Sequence, residues 1–390
     1  MKVWMKLVGA GALAVLAVVF VWRGTAAASS DATCAPTTGF VVQFCVNVPS
    51  GSGGVRRDTT VPLYAVATAR TDLRVEAGIP ASEIVRVANA LDSAALRVEG
   101  IFGRPFSERP RVLLFATPAS FARGAQEIFD YSPDTAELAA NSYGGIVDQA
   151  TLTIAVDWHA VGSDLSGLLA HELVHVMIRD IAGRDARLPA WFEEGFATVI
   201  QREDALAAET DALVARSLRA NGVVSLEQLA TLPDWHRTFA RVGRPQYAVA
   251  ALAVRAMEAR VGQEGLVTAL VAVGNSASFE EAYAVLGTGS LAAFVASFDA
   301  VTEDTAKIAV TDTSNATGDH GWTLYAFPPN SVVRVRISGV SNGYDLAFTV
   351  TADDHGMFRG SFGSTAAAGA YTIAATSGAL HASAQVVTSP

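Results

Sequence analysis

Positive charge is scarce in this sequence, whose net charge is −10 and whose only lysines are Lys2, Lys6 and Lys307. No run of basic residues occurs, so the composition argues against binding of nucleic acid or of an anionic membrane surface. Hydrophobic residues, by contrast, make up 51% of the 390 residues, and the mean hydropathy is +0.31. The chain is therefore long and apolar enough for two or three domains with substantial cores.

Cysteine is nearly absent, since Cys34 and Cys45 are the only two in the chain. No histidine lies near them, which makes a metal site at this pair a weak alternative. The alternating apolar residues between them favour a small hairpin-like loop that a disulfide closes in an oxidising compartment, with a stabilisation of about 2–3 kcal/mol. Glycine and serine dominate residues 49–54, which predicts a flexible linker. Residues 31–59 are thus expected to form a disulfide-closed segment and a linker.

Long hydrophobic runs are also rare, and the first is residues 7–22, an apolar run of 16 residues. Two lysines precede this run, and three alanines at 26–28 follow it, which is typical of a cleaved signal peptide. Membrane spans can be as short as about 17 residues, so an uncleaved N-terminal anchor is the second interpretation. Both interpretations of residues 1–30 place the rest of the protein outside the cytoplasm, either secreted or attached to the membrane.

Residues 171–175 read H-E-L-V-H, a pattern that points to metal chemistry. An apolar pattern from Leu165 to Ile181, with Ser163 as a possible cap and Gly183 at its end, predicts a helix here. Residues four apart lie on one face of a helix, so both imidazoles can reach the same ion. The glutamate between them, Glu172, is then placed next to a water molecule bound to that ion. Two imidazoles and one carboxylate with an open fourth position form the ligand set of a catalytic zinc.

The missing carboxylate is expected on a second helix, and Glu194 follows His175 after 18 intervening residues. Its neighbour Glu193 would point about 100° away around the helix, so only one of the two can face the histidines. The spacing and the following Gly195 favour Glu194 as the ligand. The competing interpretation, in which the histidines only pack in a core, does not account for the W-F-E-E-G-F-A context of residues 191–197.

The motif H-E-L-V-H is followed after 18 residues by E-G-F-A, and this pattern resembles that of the gluzincin metallopeptidases. The segment from Leu188 to Ala197 is similar to bacterial peptidase MA-like domains, and the resemblance covers roughly residues 80 to 290. It implies one Zn²⁺ ion held by His171, His175 and Glu194, with Glu172 as the general base.

The resemblance has three further implications. In gluzincin-like folds the strand before the zinc helix is a sheet edge that binds an extended polypeptide, although an ordinary buried strand is the alternative. A tyrosine or histidine after the zinc helices stabilises the oxyanion, which implicates Tyr247, with His236 as its competitor. The G-x-M-E-N-like stretch with which zinc aminopeptidases bind a free amine has no counterpart upstream of His171. An exopeptidase therefore lacks its best support, and an endopeptidase is the leading hypothesis.

The fold predicted for the chain is α+β. A metallopeptidase domain at residues 60–300 is expected to contain a small mixed sheet and a helical lobe. Its predicted elements are a helix at 79–103, a strand at 111–116, a helix at 117–121, one or two strands at 146–156, and helices at 245–262, 264–273, 278–286 and 291–298.

The composition changes again near the C-terminus. Residues 301–321 are rich in polar residues and glycine, which predicts a linker. From residue 322 the apolar residues alternate, and strands are predicted at 331–337, 345–350, 358–362, 371–375 and 381–387. Five or six short strands favour a small β-sandwich in residues 322–390. The sequence of this region at residues 358–360 and 368–373 is similar to that of the Ig-like modules of bacterial surface proteins. This resemblance implies contact with a cell surface or with substrate.

The function expected from the sequence is that of an extracytoplasmic zinc endopeptidase. One alternative is a surface binding or scaffold protein with an idle gluzincin domain, against which the intact Glu172 argues. Another is a zinc hydrolase that acts on a non-protein amide or on a cell-wall peptide.

Overall fold

The computed structural model describes ten stretches of the chain: residues 59–142, 144–148, 151–160, 165–202, 205–287, 289–300, 306–311, 320–339, 343–362 and 369–388. The expected targeting segment 1–30, the cysteine pair, the linker at 49–54 and the cap residue Ser163 lie outside these stretches. None of the helices found in them combines the length and the apolar character that a membrane span requires. The fold is mixed α+β, in agreement with the predicted class.

The chain divides into two compact units. The larger unit contains the described residues up to Ala208 together with Leu226–Phe298, and the smaller unit contains Glu209–Ser225 together with Asp299–Pro390. The segment Glu209–Ser225 therefore belongs with the C-terminal strands, whereas the sequence predicts a metallopeptidase domain over residues 60–300.

A five-stranded sheet forms one part of the larger unit. In its spatial order β1-β2-β3-β5-β4, the three inner strands are parallel, and the two edge strands pair antiparallel to their neighbours. Both β3 and β5 are buried along their whole length. Inner strands of a parallel sheet are covered on both faces, which explains why their sequences are nearly continuous apolar runs. The strands are β1 (Leu63–Val66), β2 (Asp72–Glu76), β3 (Arg111–Phe115), β4 (Gly145–Asp148) and β5 (Thr153–Asp157).

Helices make up the rest of the larger unit. The first ends at Gly103, whose φ of 67° is left-handed and suits glycine at a helix end. The predicted helix end at Gly262 is a kink, because its φ of 72° and ψ of 166° interrupt one long element. The helices are α1 (Ala81–Phe102), α2 (Pro118–Phe129), α3 (Pro133–Ser142), α4 (Leu165–Ala182), α5 (Ala190–Gln201), α6 (Ala205–Ala220, which continues into the smaller unit), α7 (Leu232–Val242), α8 (Pro245–Gly274), α9 (Phe279–Ala284) and α10 (Leu291–Ala300).

Two small sheets form most of the smaller unit, with strand orders β10-β7-β6 and β12-β11-β8-β9. Side chains from both sheets share one hydrophobic cluster, to which Trp322, Val335 and Tyr371 contribute. The strands are β6 (Lys307–Thr311), β7 (His320–Tyr325), β8 (Val332–Gly339), β9 (Asp345–Thr351), β10 (Phe358–Phe362), β11 (Gly369–Ser377) and β12 (Leu380–Thr388).

The strand β6 corrects the expected linker at 301–321. Residues Ile308 and Val310 alternate with less apolar neighbours and pack against the shared cluster. This segment pairs antiparallel with β7. The alternation of apolar and polar residues in this strand extends over only five residues and is flanked by polar residues. The composition of the segment therefore did not indicate a strand.

The C-terminal part of α6 is packed into the smaller unit. Leu213 joins a cluster with Tyr325 and Met357. The Ser217 side chain is fully buried, and its hydroxyl donates a hydrogen bond to the carbonyl of His355 and accepts one from the backbone N–H of Ala326. The hydroxyl of Ser217 therefore satisfies two backbone groups of the smaller unit.

We predict that Ser217→Ala lowers the free energy of unfolding by about 1–3 kcal/mol, because it removes the partner of the buried N–H of Ala326 and of the partly buried carbonyl of His355. The control is Ser383→Ala, which removes an exposed hydroxyl in β12 of the same unit. Urea denaturation of both variants checks the prediction. Equal stability of the two variants would show that the bonds of Ser217 do not hold this segment.

Candidate metal centre

The centre of the candidate site is α4, which is buried along most of its length. His171 and His175 are both 7% exposed, and their ring centroids are 5.0 Å apart. One helical turn separates the two residues, so the helix places both rings on the same face. Glu172 lies next to them on the helix and is also buried.

Glu194 approaches this face from α5. Its Oε2 lies 3.4 Å from Nε2 of His171 and 3.6 Å from Nε2 of His175, and the two Nε2 atoms are 3.3 Å apart. The structure thus brings together the three predicted ligands, and they form one of two groups in the described residues whose spacing could hold a metal ion.

The triangle of atoms fits a tetrahedral zinc ion. Zinc lies about 2.0–2.2 Å from nitrogen and oxygen ligands, so a tetrahedral angle places two ligand atoms about 3.3–3.6 Å apart. The three observed distances span that range. Hydrogen bonds between nitrogen and oxygen usually measure about 2.7–3.2 Å, which is shorter than the distances to Glu194. The spacing therefore suits a shared cation better than a network of hydrogen bonds.

One feature departs from the usual surroundings of a ligating imidazole. Such a ring normally donates its second N–H to a neighbouring acceptor. The Nδ1 atom of His171 is buried and has no hydrogen-bond partner among the described residues. Aromatic packing against Tyr247, at a centroid distance of 6.1 Å, constrains this ring instead.

The two adjacent glutamates of α5 have different partners. Glu193 accepts a hydrogen bond of 2.6 Å from Arg179 of α4, and both side chains are buried. Arg179 also donates to the carbonyl of Ala186 in the connection between the two helices. Burial raises the pKa of Glu193, while the charge of Arg179 opposes that rise. The ion pair thus orients α5, and Glu194 is the residue that faces the histidines.

A glycine allows α5 to pack closely against α8. A Cβ atom at Gly195 would lie 2.4 Å from the carbonyl oxygen of Ala250 and 2.8 Å from a methyl group of Val254. No larger residue fits there unless the helices move apart. The close approach explains the glycine that follows Glu194 in the motif.

Tyr247 reaches the site from the first turn of α8. Its ring lies beside His171 and packs edge-on against Trp235 at 4.9 Å. His236, the competing candidate, is exposed on α7. The structure therefore places Tyr247 beside a predicted ligand, and no described ring contact or hydrogen bond brings His236 there.

The carboxyl group of Glu172 lies against the edge strand β4. A Cβ atom at Gly145 would lie 2.7 Å from its Oε1 and 2.9 Å from its Cδ. Burial raises the pKa of Glu172, the two histidines lower it, and Glu194 raises it again, with a net rise. This carboxylate is therefore a better proton acceptor than an ordinary glutamate.

Charge couples His175 to Glu194. Burial opposes the protonation of His175, but the negative charge of Glu194 outweighs it and raises the pKa of His175 to about 9. Burial likewise disfavours the anion of Glu194, yet the two imidazoles hold its pKa well below the usual range. In the metal-free site a protonated His175 thus pairs with the carboxylate of Glu194, and a bound cation would replace that proton.

Tyr131 follows α2 and belongs to no motif, so the sequence gives no signal for it. Burial raises the pKa of its phenol, and the carboxylates of Asp148, Glu172 and Glu194 raise it further. Its ring packs edge-on against Phe129 at 6.0 Å and against a hydrophobic cluster that includes Ile146 of β4.

The second group of potential ligands is Asp353, Asp354 and His355 in the smaller unit. Both aspartates are exposed, and Asp353 already accepts hydrogen bonds from the backbone N–H groups of His355 and Met357. The carboxylate of Asp353 therefore stabilises a turn, which accounts for this group.

Comparison of the chain with known protein families and with curated protein sequences finds no match. The proposed function therefore rests on the geometry of the site and on the sequence motifs.

We predict that zinc binding to the metal-free protein releases about one proton at pH 7, because His175 must lose its proton to coordinate. The apparent affinity should increase about tenfold between pH 7 and pH 8. Calorimetric titration in buffers of different ionisation enthalpy measures both quantities. Glu172→Gln should behave in the same way, since it leaves the three ligands unchanged. An affinity that does not depend on pH would contradict the assignment of His175 as a ligand.

Proposed function

We propose that this protein is a zinc-dependent endopeptidase of the gluzincin type that hydrolyses polypeptides outside the cytoplasm. The observation that carries the proposal is the convergence of His171, His175 and Glu194 at distances that suit one tetrahedral ion, with Glu172 beside them. The motifs H-E-L-V-H and E-G-F-A supply the resemblance to this family.

Five residues would carry out the proposed reaction. His171, His175 and Glu194 would hold the ion, which when bound acts as a Lewis acid and lowers the pKa of a water molecule to about 7. Glu172 accepts the proton of the attacking water and transfers it to the leaving amine. The Tyr247 hydroxyl donates a hydrogen bond to the carbonyl oxygen as negative charge develops there.

The proposed path of the substrate runs along β4. Among the described residues this strand is an edge of its sheet, and its outer backbone groups would pair with an extended peptide. Its first residue, Gly145, lies against the carboxyl group of Glu172. A peptide added to this edge would therefore run next to the general base. Main-chain pairing does not depend on side chains, which suits an endopeptidase of broad sequence preference.

The smaller unit would act as an appended Ig-like module. Its two small sheets share a hydrophobic cluster in the manner of a sandwich. Contact with a cell surface or with substrate is the role that we propose for it, and residues 1–30 would direct the protein out of the cytoplasm.

Digestion of a mixed peptide library by the purified, zinc-loaded protein tests the proposed activity. We expect internal cleavages by the wild type and a loss of about 100- to 10,000-fold in rate for Glu172→Gln at equal zinc content. Glu264→Gln, at an exposed position of α8, is the matched control and should cleave like the wild type.

Two results would contradict the proposal. Equal cleavage by the wild type and Glu172→Gln would show that this carboxylate is not the base. Bound zinc without cleavage of any peptide would exclude a general endopeptidase and favour an idle scaffold or a hydrolase of cell-wall amides.

A further inference from the structure

Gly145 is a glycine at a position where the backbone conformation does not require one. It is the first residue of the edge strand β4, and it is not among the glycines with a positive φ. Glycine inside a strand is unfavourable because it has no side chain to pack, and it often marks the close approach of another group. Space, and not conformation, therefore explains the glycine at this position.

The space beside Gly145 is filled by the side chain of Glu172. A Cβ atom at position 145 would lie 2.7 Å from Oε1, 2.9 Å from Cδ and 2.9 Å from Cγ of this glutamate. Three atoms bonded in a row thus run past the glycine, and the glutamate is only 5% exposed. Among the described residues no hydrogen bond holds its carboxylate. Packing against the backbone of β4 is therefore the contact that fixes the carboxyl group.

A methyl group at position 145 would displace this carboxylate. Carbon atoms in ordinary contact lie about 3.5–4.0 Å apart, so the side chain of Glu172 would have to move by roughly 0.5–1 Å. The clash includes Cγ, which is two bonds from the backbone of α4, so rotation of the carboxyl group alone would not relieve it. A general base must lie within about 2.6–3.2 Å of the group whose proton it abstracts, and a shift of this size would disturb that distance.

We propose that Gly145 is a positioning residue for the reaction, because the absence of its side chain lets the carboxylate of Glu172 lie where it accepts the proton of the attacking water. This inference rests on the proposed peptidase function, in which Glu172 is the general base. The same strand is the proposed path of the substrate. The backbone of β4 would therefore set the position of the base relative to the peptide.

Gly145→Ala tests the proposal by separating kcat from KM. We expect kcat for the most rapidly cleaved library peptide to fall about 10- to 100-fold, the effect of a reacting group misplaced by up to about 1 Å. KM should stay within about twofold, because side chains stand perpendicular to a sheet and the outer edge of β4 is unchanged. Bound zinc should equal that of the wild type, since the three ligands are untouched. Gly100→Ala, on the exposed side of α1 where an added Cβ atom meets nothing within 4 Å, is the matched control and should change none of these quantities.

A variant without the base shows whether the alanine acts through Glu172. When Glu172→Gln is already present, Gly145→Ala should change the residual rate of cleavage by less than about twofold. A further fall of about 10-fold or more in that background would overturn the inference, because the glycine would then serve another part of the site.

Urea denaturation supplies a measurement that does not depend on cleavage. Glu172→Ala removes the atoms that the new methyl group would meet, so Gly145→Ala should be less destabilising in that background than in the wild type. If Gly145→Ala alone does not fold, the double variant should still fold. An equal loss of stability in the two backgrounds would overturn the inference.

The outcomes separate this inference from the function on which it rests. Unchanged kcat in Gly145→Ala, beside an active wild type, would overturn the inference alone. A loss of activity that is explained by lost zinc or by a higher KM would also overturn it. Absence of cleavage by the wild type would overturn the proposed function, and with it the role of Gly145.

Discussion

The buried ion pair between Arg179 and Glu193 is the interaction on which the geometry of the candidate site depends. Hydrophobic packing alone would let α4 and α5 slide past each other, since apolar contacts have little directionality. A charge-assisted hydrogen bond of 2.6 Å between the helices fixes their register. Because adjacent residues point about 100° apart around a helix, fixing Glu193 on Arg179 also determines where Glu194 points. The pair thus links the fold of the larger unit to the chemistry of its ligands.

Two close backbone approaches complete this arrangement. Gly195 lets α5 contact the backbone of α8, the helix that presents Tyr247 beside His171. Gly145 lets the edge strand β4 contact the carboxyl group of Glu172. In both places a side chain would occupy the space of a neighbouring group at less than 3 Å. Glu172, Tyr247 and a sheet edge thereby lie around the predicted ligands.

Periodicity and spacing predicted the parts of the site that lie on single helices. The turn of α4 brings His171 and His175 together, and this follows from their separation by four residues alone. The choice of Glu194 over Glu193 rested on its spacing and on the glycine after it, and the structure explains that glycine by packing against α8. The sequence gives no signal for the influence of Glu172 on the pKa of Tyr131, because this influence arises from tertiary structure and not from a local pattern. The placement of Glu209–Ser225 with the C-terminal strands depends on buried hydrogen bonds across more than 100 residues, which no local pattern can indicate.

We propose that one metal ion is held by His171, His175 and Glu194. Crystals of the zinc-loaded protein, with anomalous diffraction data collected on both sides of the zinc absorption edge, would locate the ion. We expect a single strong anomalous peak in contact with both Nε2 atoms and a carboxylate oxygen of Glu194. A peak bound elsewhere, for example at Asp353 and His355, or no peak at all at stoichiometric zinc, would contradict it.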